Sequence, residues 1–199
     1  MASTVFKSDG QLFDLLKLYF DSEFSTIESH QMGALSMIIF IRSKYENLVS
    51  KVETSEIANG LFGTMKNKGA IAVKFQLGDH KVQVINCHLE AHKKSISRRK
   101  QQYSEIYNQF IGDKNEDDAI IWLGDFNSRL KEHPLTTDQD LLFRHDEILS
   151  ESFYPLRTFS ELFPHLWSPS YKLVHNSYIR MGWTDRIFYR SGKPVLRDE

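Results

Sequence analysis

Two strand-like runs, residues 70–77 (AIAVKFQL) and 81–88 (KVQVINCH), flank a Gly78-Asp79-His80 turn, and this pairing constrains the chain most. Polar and apolar residues alternate over 81–85, as a strand with one wet and one dry face requires. The turn is short, so the two runs read as a β-hairpin. A hairpin at the centre of the chain needs further sheet on its flanks and a layer on its apolar face. Residues 34–42 (ALSMIIFIR) and 119–123 (AIIWL) are continuous apolar runs that read as buried strands, and 182–189 (GWTDRIFY) as another. Helical spacing appears in 11–20, with Leu12, Leu15, Leu16 and Tyr19 on one side. It appears again in 93–110, where Ile96, Tyr103, Ile106, Tyr107 and Phe110 form the apolar side. Strands dominate and helices interrupt them irregularly. The pattern predicts an α/β sandwich of mainly mixed or antiparallel sheets rather than a doubly wound parallel sheet.

Charge narrows the function. The formal net charge is −1 over 199 residues, so the chain has no general basic field of the kind that holds nucleic acid. An anionic ligand must be met by a local cluster. The one cysteine, Cys87, permits no intrachain disulfide, which suits a reducing compartment. No signal sequence or membrane-length apolar run is present, so the expectation is a cytoplasmic protein with any membrane contact peripheral.

Four groups of residues carry chemistry. His88 closes the second hairpin strand within Asn86-Cys87-His88-Leu89-Glu90-Ala91-His92. An imidazole there can donate to a phosphate or exchange a proton near neutral pH, or be satisfied by local backbone. Asp125 and Asn127 leave the 119–123 run after Gly124, spaced to share one side. They read as a carboxylate that orients water beside an amide donor, or as a plain turn. Asp185 sits in an otherwise apolar run beside Arg186, either as an ion pair with it or as a carboxylate that orients a catalytic histidine or touches a metal. Basic residues gather at Lys66 and Lys68 in a glycine-bounded turn, at Lys93, Lys94, Arg98, Arg99 and Lys100, and at Tyr171-Lys172. These suit phosphomonoesters, or a solvated helix face.

Order and spacing add what no single piece carries. Lys66-Asn67-Lys68-Gly69, the His88 motif, Arg98-Arg99 with Tyr103, Trp122-Leu123-Gly124-Asp125-Phe126-Asn127, Pro169-Ser170-Tyr171-Lys172 and Trp183-Thr184-Asp185-Arg186-Ile187 follow one another. This series resembles the successive signatures of the inositol polyphosphate 5-phosphatases, within the endonuclease/exonuclease/phosphatase group. The similarity runs from about Gln31 to Phe188. It implies a deoxyribonuclease-I-like sandwich and Mg²⁺-dependent hydrolysis of the 5-phosphate of phosphatidylinositol 4,5-bisphosphate-type substrates. His88 would contact the scissile phosphate and help the leaving oxygen. Asp125 would orient the attacking water, Asn127 would stabilise the transition state, and Asp185 would orient the family's catalytic histidine. Tyr171 and Lys172 would read the neighbouring 4-phosphate, with Lys68 as a further substrate contact.

The series is open at both ends. The family's Trp-Asn-x-Asn strand and its Gln-Glu pair, whose glutamate holds magnesium, belong upstream of the matched region; its Ser-Asp-His motif belongs downstream. None has a counterpart in this chain. The chain, 1–199, therefore reads as a single partial catalytic domain, a fragment or a degenerate member, with no metal ligand assignable and a weakened magnesium site. A catalytically inactive phosphoinositide-binding or scaffold protein is the alternative. The expected partners are inositol phosphates or phosphoinositide head groups and a peripheral membrane surface, with no nucleic acid and no obligate protein partner readable. A cysteine-dependent phosphatase is excluded, since the position six after Cys87 is Lys93 and not the arginine that chemistry needs.

Overall fold

The computed structural model describes residues 9–20, 22–60, 67–113, 116–131, 138–150, 154–162, 171–174 and 177–192. Helix α1 (Asp9–Phe20) leads into strands β1 (Phe24–Met32) and β2 (Leu35–Arg42), which pair antiparallel as a two-stranded sheet. A six-stranded sheet follows, built from β3 (Val49–Ala58), β4 (Gly69–Leu77), β5 (His80–His88), β6 (Ala119–Asp125), β7 (Ser160–Glu161) and β10 (Asp185–Ser191). Its order is β3-β4-β5-β6-β10-β7. The β5–β6 pair is parallel and every other pair antiparallel, so the sheet is mixed. Helix α2 (Ile96–Phe110) makes the crossover between β5 and β6. The short helices α3 (Gln139–Arg144) and α4 (Glu147–Ser150), the hairpin of β8 (Tyr171–Val174) and β9 (Ser177–Gly182), and 3₁₀ turns at Ser43–Leu48, Lys93–Ser95 and Tyr154–Thr158 complete the described elements.

The hairpin forms as the sequence predicts, with Leu77 opposite His80 and Gly69 opposite His88. Its alternation sorts two cores rather than a wet and a dry face: Val82 and Val84 pack on one side of β5, and on the other Gln83 is fully buried and donates to Phe110 O at 3.0 Å. Ala70, Ala72, Ile85 and Cys87 face α2 together with Ile120, Trp122 and Phe188. Ile71, Val73 and Phe75 face β1 and β2, where Met32, Leu35 and Met37 meet them. Helix α2 covers the first face through Tyr103, Ile106, Tyr107 and Phe110, spaced three and four apart. It stops at Gly112, whose φ of 64° lets its N–H return to Tyr107 O at 2.8 Å. Residues 93–95 are a 3₁₀ turn ahead of the helix rather than its first turn.

Three expectations change. The apolar side expected for 11–20 is largely outward: Leu12, Leu15 and Tyr19 are exposed, and contact runs through Phe20, which meets Phe24 and Phe40. The run 34–42 is half-buried rather than enclosed, because β2 is packed on one face and paired along one edge among the described residues. The run 182–189 is not one strand. The chain turns at Trp183 and Thr184, between the end of β9 and the start of β10.

One close approach fixes where the strands end. Gly124 has φ of 130°, and a Cβ there would overlap the Cys87 carbonyl and Asn86 Oδ1 on β5. Only glycine lets β6 come this near. Gly124→Ala should therefore cost roughly 3 kcal/mol or more through strain and overpacking. Gly78→Ala, at φ of 59° in open space, should cost only about 1–2 kcal/mol. Urea unfolding of both variants checks the difference.

Candidate active site at the ends of β5, β6 and β10

Register brings the polar residues together. His88 ends β5 and pairs with Asp125 at the end of β6, and Asp125 pairs with Asp185 at the start of β10. Lys68 arrives from the other side because Gly69 pairs with His88. Gly69 has φ of 140°, and a Cβ there would overlap the Ile57 carbonyl, so a glycine is again required for the approach. The strand ends are tied by Leu89 N–H to Asp125 O at 2.9 Å and Phe126 N–H to Thr184 O at 2.6 Å.

Lys68 Nζ lies 2.5 Å from His88 Nε2, and the same nitrogen lies 3.3 Å from Asp125 Oδ2. With Lys68 donating to Nε2, the imidazole is neutral and carries its proton on Nδ1. Burial, and then the Lys68 charge, hold the His88 pKa below the ordinary histidine range. Burial likewise lowers the Lys68 ammonium, against the opposing pull of Asp125 and Glu90. Burial pushes the Asp125 carboxyl up, opposed by the Asn127 backbone N–H and by His88.

Asn127 stands at φ of 51°. Its backbone N–H donates to Asp125 Oδ1 at 2.9 Å, and its Nδ2 donates to Leu89 O at 3.0 Å and to Asp125 Oδ2 at 3.2 Å. Both amide hydrogens are thus engaged in holding Asp125 and the loop after His88. Asp185 is exposed and accepts from Thr184 Oγ1 at 2.9 Å. Its expected partner Arg186 points into the interior instead, to Asp146 at 3.0 Å and to Glu161. Neighbours on a strand face opposite sides, so adjacency in sequence separated these two. Tyr171 and Lys172 begin β8, but their side chains, like Lys66, lie outside the described residues.

The basic run 93–100 divides. Arg99 is fully buried, paired to Glu147 through both guanidinium arms at 2.6 and 2.7 Å. Its Nη1 also donates to the carbonyls of Glu90 and His92, at 3.0 and 2.7 Å. Arg99 is therefore a brace for the loop that follows His88. Arg98 pairs with Glu105 at 3.5 Å and donates to Asn59 O at 2.9 Å. Lys93 and Lys94 are exposed. Sequence reasoning did not single out Glu147, Asp146, Glu161 or Arg129, and no local pattern marks them, since their partners lie 18 to 48 residues away or in a turn.

A magnesium ion fits these residues poorly. Among the described residues no group of three or more His, Cys, Asp or Glu side chains is placed to hold a metal. Asp125 is engaged through both oxygens, and an ammonium stands against His88. Magnesium asks for an octahedron of hard oxygens, and these groups do not supply one. Elsewhere, a cavity of about 430 Å³ lies at the opposite end of β4, lined by residues that include Lys51, Lys74, Lys81, Glu116 and Asp117. Lys74 and Lys81 there are already paired with Asp117 and Glu116, at 3.2 and 2.9 Å.

A mixed sheet faced by a second sheet and a crossover helix, with histidine and two aspartates at adjoining strand ends, defines a deoxyribonuclease-I-like sandwich. The family described as Endonuclease/Exonuclease/phosphatase family 2 matches residues 3–197, and the chain belongs to it. The chain is 29% identical over 125 residues to the type II inositol 1,4,5-trisphosphate 5-phosphatase of Mus musculus, covering 58% of this chain and 13% of that protein. It is 33% identical over 124 residues to the phosphatidylinositol 3,4,5-trisphosphate 5-phosphatase 2A of Danio rerio, covering 58% and 10%. With inositol polyphosphate 5-phosphatase K of Mus musculus it is 27% identical over 191 residues, covering 84% and 41%. The chain thus spans less than half the length of these relatives. The inositol polyphosphate 5-phosphatase domain of SPsynaptojanin, solved with inositol (1,4)-bisphosphate and calcium ion, superposes with a TM-score of 0.74 at 24% identity. The match covers 94% of this chain and 64% of that one. A Cimex nitrophorin superposes with a TM-score of 0.71 at 17% identity, covering 94% and 72%. Fold alone therefore does not select the chemistry.

The raised Asp125 pKa sets a sign. Below the unfolded value, about 3.9, the group is protonated in both states and costs nothing. As pH rises through that value and then the folded one, ionisation in the half-buried site sets in as a penalty. Asp125→Asn should stabilise the protein at pH 7 by less than about 1 kcal/mol, since solvent screens the group and Lys68 loses a counter-charge. The gain should vanish below about pH 3.9. Thermal unfolding of both proteins across pH 3–7, on the order of one unit per step, reads it.

Proposed function

We propose that this chain is the central part of a phosphoinositide 5-phosphatase domain that hydrolyses the 5-phosphate of a phosphatidylinositol 4,5-bisphosphate-type head group. The observation that carries the reading is the meeting of Lys68, His88, Asp125 and Asp185 through strand register, in a chain whose relatives are inositol phosphate 5-phosphatases. Asp125, ionised and held by Asn127, orients a water for in-line attack on phosphorus. As the bond from phosphorus to the inositol oxygen breaks, Asp125 takes the water's proton, and the Lys68 ammonium passes a proton to His88 Nε2 while His88 Nδ1–H protonates the leaving oxygen, so the imidazole stays neutral. Asn127 serves first by fixing Asp125; to stabilise the transition state, its amide would have to release Leu89 O or Asp125. Asp185 orients a histidine supplied from beyond the matched motifs. Tyr171 and Lys172 read the 4-phosphate. The divalent ion in this reading is magnesium, and the protein works in the cytoplasm against a membrane surface.

A second reading, a phosphoinositide-binding protein without turnover, is favoured by the absence of a metal-holding group among the described residues. Phosphate release separates the two. The chain as given should turn over slowly and bind Mg²⁺ more weakly than about 1 mM by calorimetry. A version extended with a relative's Gln-Glu and Ser-Asp-His segments should release phosphate from a 4,5-bisphosphorylated inositol. There, His88→Ala and Asp125→Ala should each lower kcat by roughly 10²–10⁴-fold. Lys172→Ala should instead weaken discrimination between substrates with and without a 4-phosphate, by roughly 10–100-fold. Equal loss on both substrates would refute the role of Lys172. Binding without release in the extended version would favour the second reading.

A further inference from the structure

Arg129 follows Asn127 by two residues and is buried, with 6% of its surface exposed. Its Nη2 donates to Asn127 Oδ1 at 2.6 Å. The amide so held faces its nitrogen to Leu89 O and Asp125 Oδ2. The result is a chain of hydrogen bonds from guanidinium to amide to carboxylate, and His88 Nε2 lies 3.3 Å beyond it without completing a further bond in the neutral form.

We propose that Arg129 is a positioning residue for the Asp125 carboxylate, acting through the Asn127 amide. The proposal rests on the reading of Asp125 as the group that orients the attacking water. The guanidinium is always charged and its donors form a rigid planar fork, so it fixes the direction in which Oδ1 points. A flipped amide would set its oxygen against the Leu89 carbonyl and the Asp125 carboxylate, and its NH₂ against the guanidinium. A charge on the oxygen side also polarises the amide and strengthens the N–H donors on the other side. Asn127 sits in the left-handed region, which asparagine tolerates better than most side chains because its amide can hydrogen-bond locally. Arg129 is close enough to the site to oppose the charge of Lys68. Other groups also face Asp125: His88 from β5, Lys68 from the turn before β4 and Asp185 from β10, with Glu90 acting on both Lys68 and His88.

The test is an NMR titration of the Asp125 carboxyl carbon in the full chain. The proteins compared are wild type, Arg129→Gln, Arg129→Lys, Asn127→Ala and the double variant Asn127→Ala/Arg129→Gln. Arg129→Gln should raise the Asp125 midpoint by up to about one pH unit, because the Asn127 amide that donates to the carboxylate loses the charge that orients and polarises it. Asn127→Ala should raise it at least as far, and the double variant should match Asn127→Ala alone, because the second change acts through the first. Arg129→Lys should recover part of the shift. A merely structural arginine would lower the unfolding temperature and leave the midpoint in place. An unchanged midpoint in folded Arg129→Gln would overturn the proposal, and so would shifts that add in the double variant. If Arg129→Gln does not fold, Arg129→Lys carries the test, with about half the shift expected and an unchanged midpoint overturning the proposal. The titration needs no turnover. A chain that releases no phosphate but shows the coupled shift keeps the relay and loses the enzymatic reading.

Discussion

The approach of Gly124 to the backbone of β5 is the contact on which the rest of the site depends. It places Gly124 opposite Cys87 and so brings Asp125 level with His88. The antiparallel partner β10 then has Asp185 level with Asp125. A side chain at position 124 would move β6 away and undo both alignments. Gly69 does the same service between β3 and β4 and delivers Lys68. Two glycines at positive φ thus gather side chains that start far apart in the sequence.

Behind these strand ends lies a layer of buried charge. Arg186 pairs with Asp146 and Glu161, and Asp146 also accepts from Ser128 and from the Ile148 backbone N–H. Arg99 and Glu147 form a second group, one residue along from Asp146. Buried pairs gain little net stability over apolar replacements, yet removing one partner costs about 3–5 kcal/mol. Their value here is directional. Arg99 holds two carbonyls of the loop after His88, and Arg186 ties β10 to Glu161 on β7 and to Asp146 between α3 and α4. Each guanidinium has more donors than one carboxylate can use: the surplus of Arg99 grips the carbonyls of Glu90 and His92, and that of Arg186 a second carboxylate.

Much of this was legible in the sequence wherever the controlling interactions are local. Alternation in 81–85 and the short turn at 78–80 dictate the hairpin, and the strand that stops near Gly124 delivers Asp125 as expected. The meeting of His88, Asp125, Asn127 and Asp185 is legible from the order of motifs, not from chemistry that any one of them displays; that Lys68 stands against His88 is not legible there. What was not legible depends on distant partners. Arg186 beside Asp185 suggested an ion pair, but the strand sends them to opposite faces, and the true acceptors come from residues 146 and 161. Arg99 reads in the sequence as a phosphate contact or as part of a solvated helix face, and it is neither, because Glu147 lies beneath it. The outward face of α1 shows the same limit, since helical spacing reports an apolar side without reporting what covers it.

The central claim is that the anion-binding centre lies at the ends of β5, β6 and β10. It is tested most directly by NMR chemical-shift mapping during titration with a 4,5-bisphosphorylated inositol head group. The account predicts perturbation of Lys68, His88, Asp125 and Asn127, with Lys51, Lys74 and Lys81 at the far end of the sheet unmoved. Perturbation centred on those three lysines, with His88 and Asp125 unmoved at saturation, would contradict it.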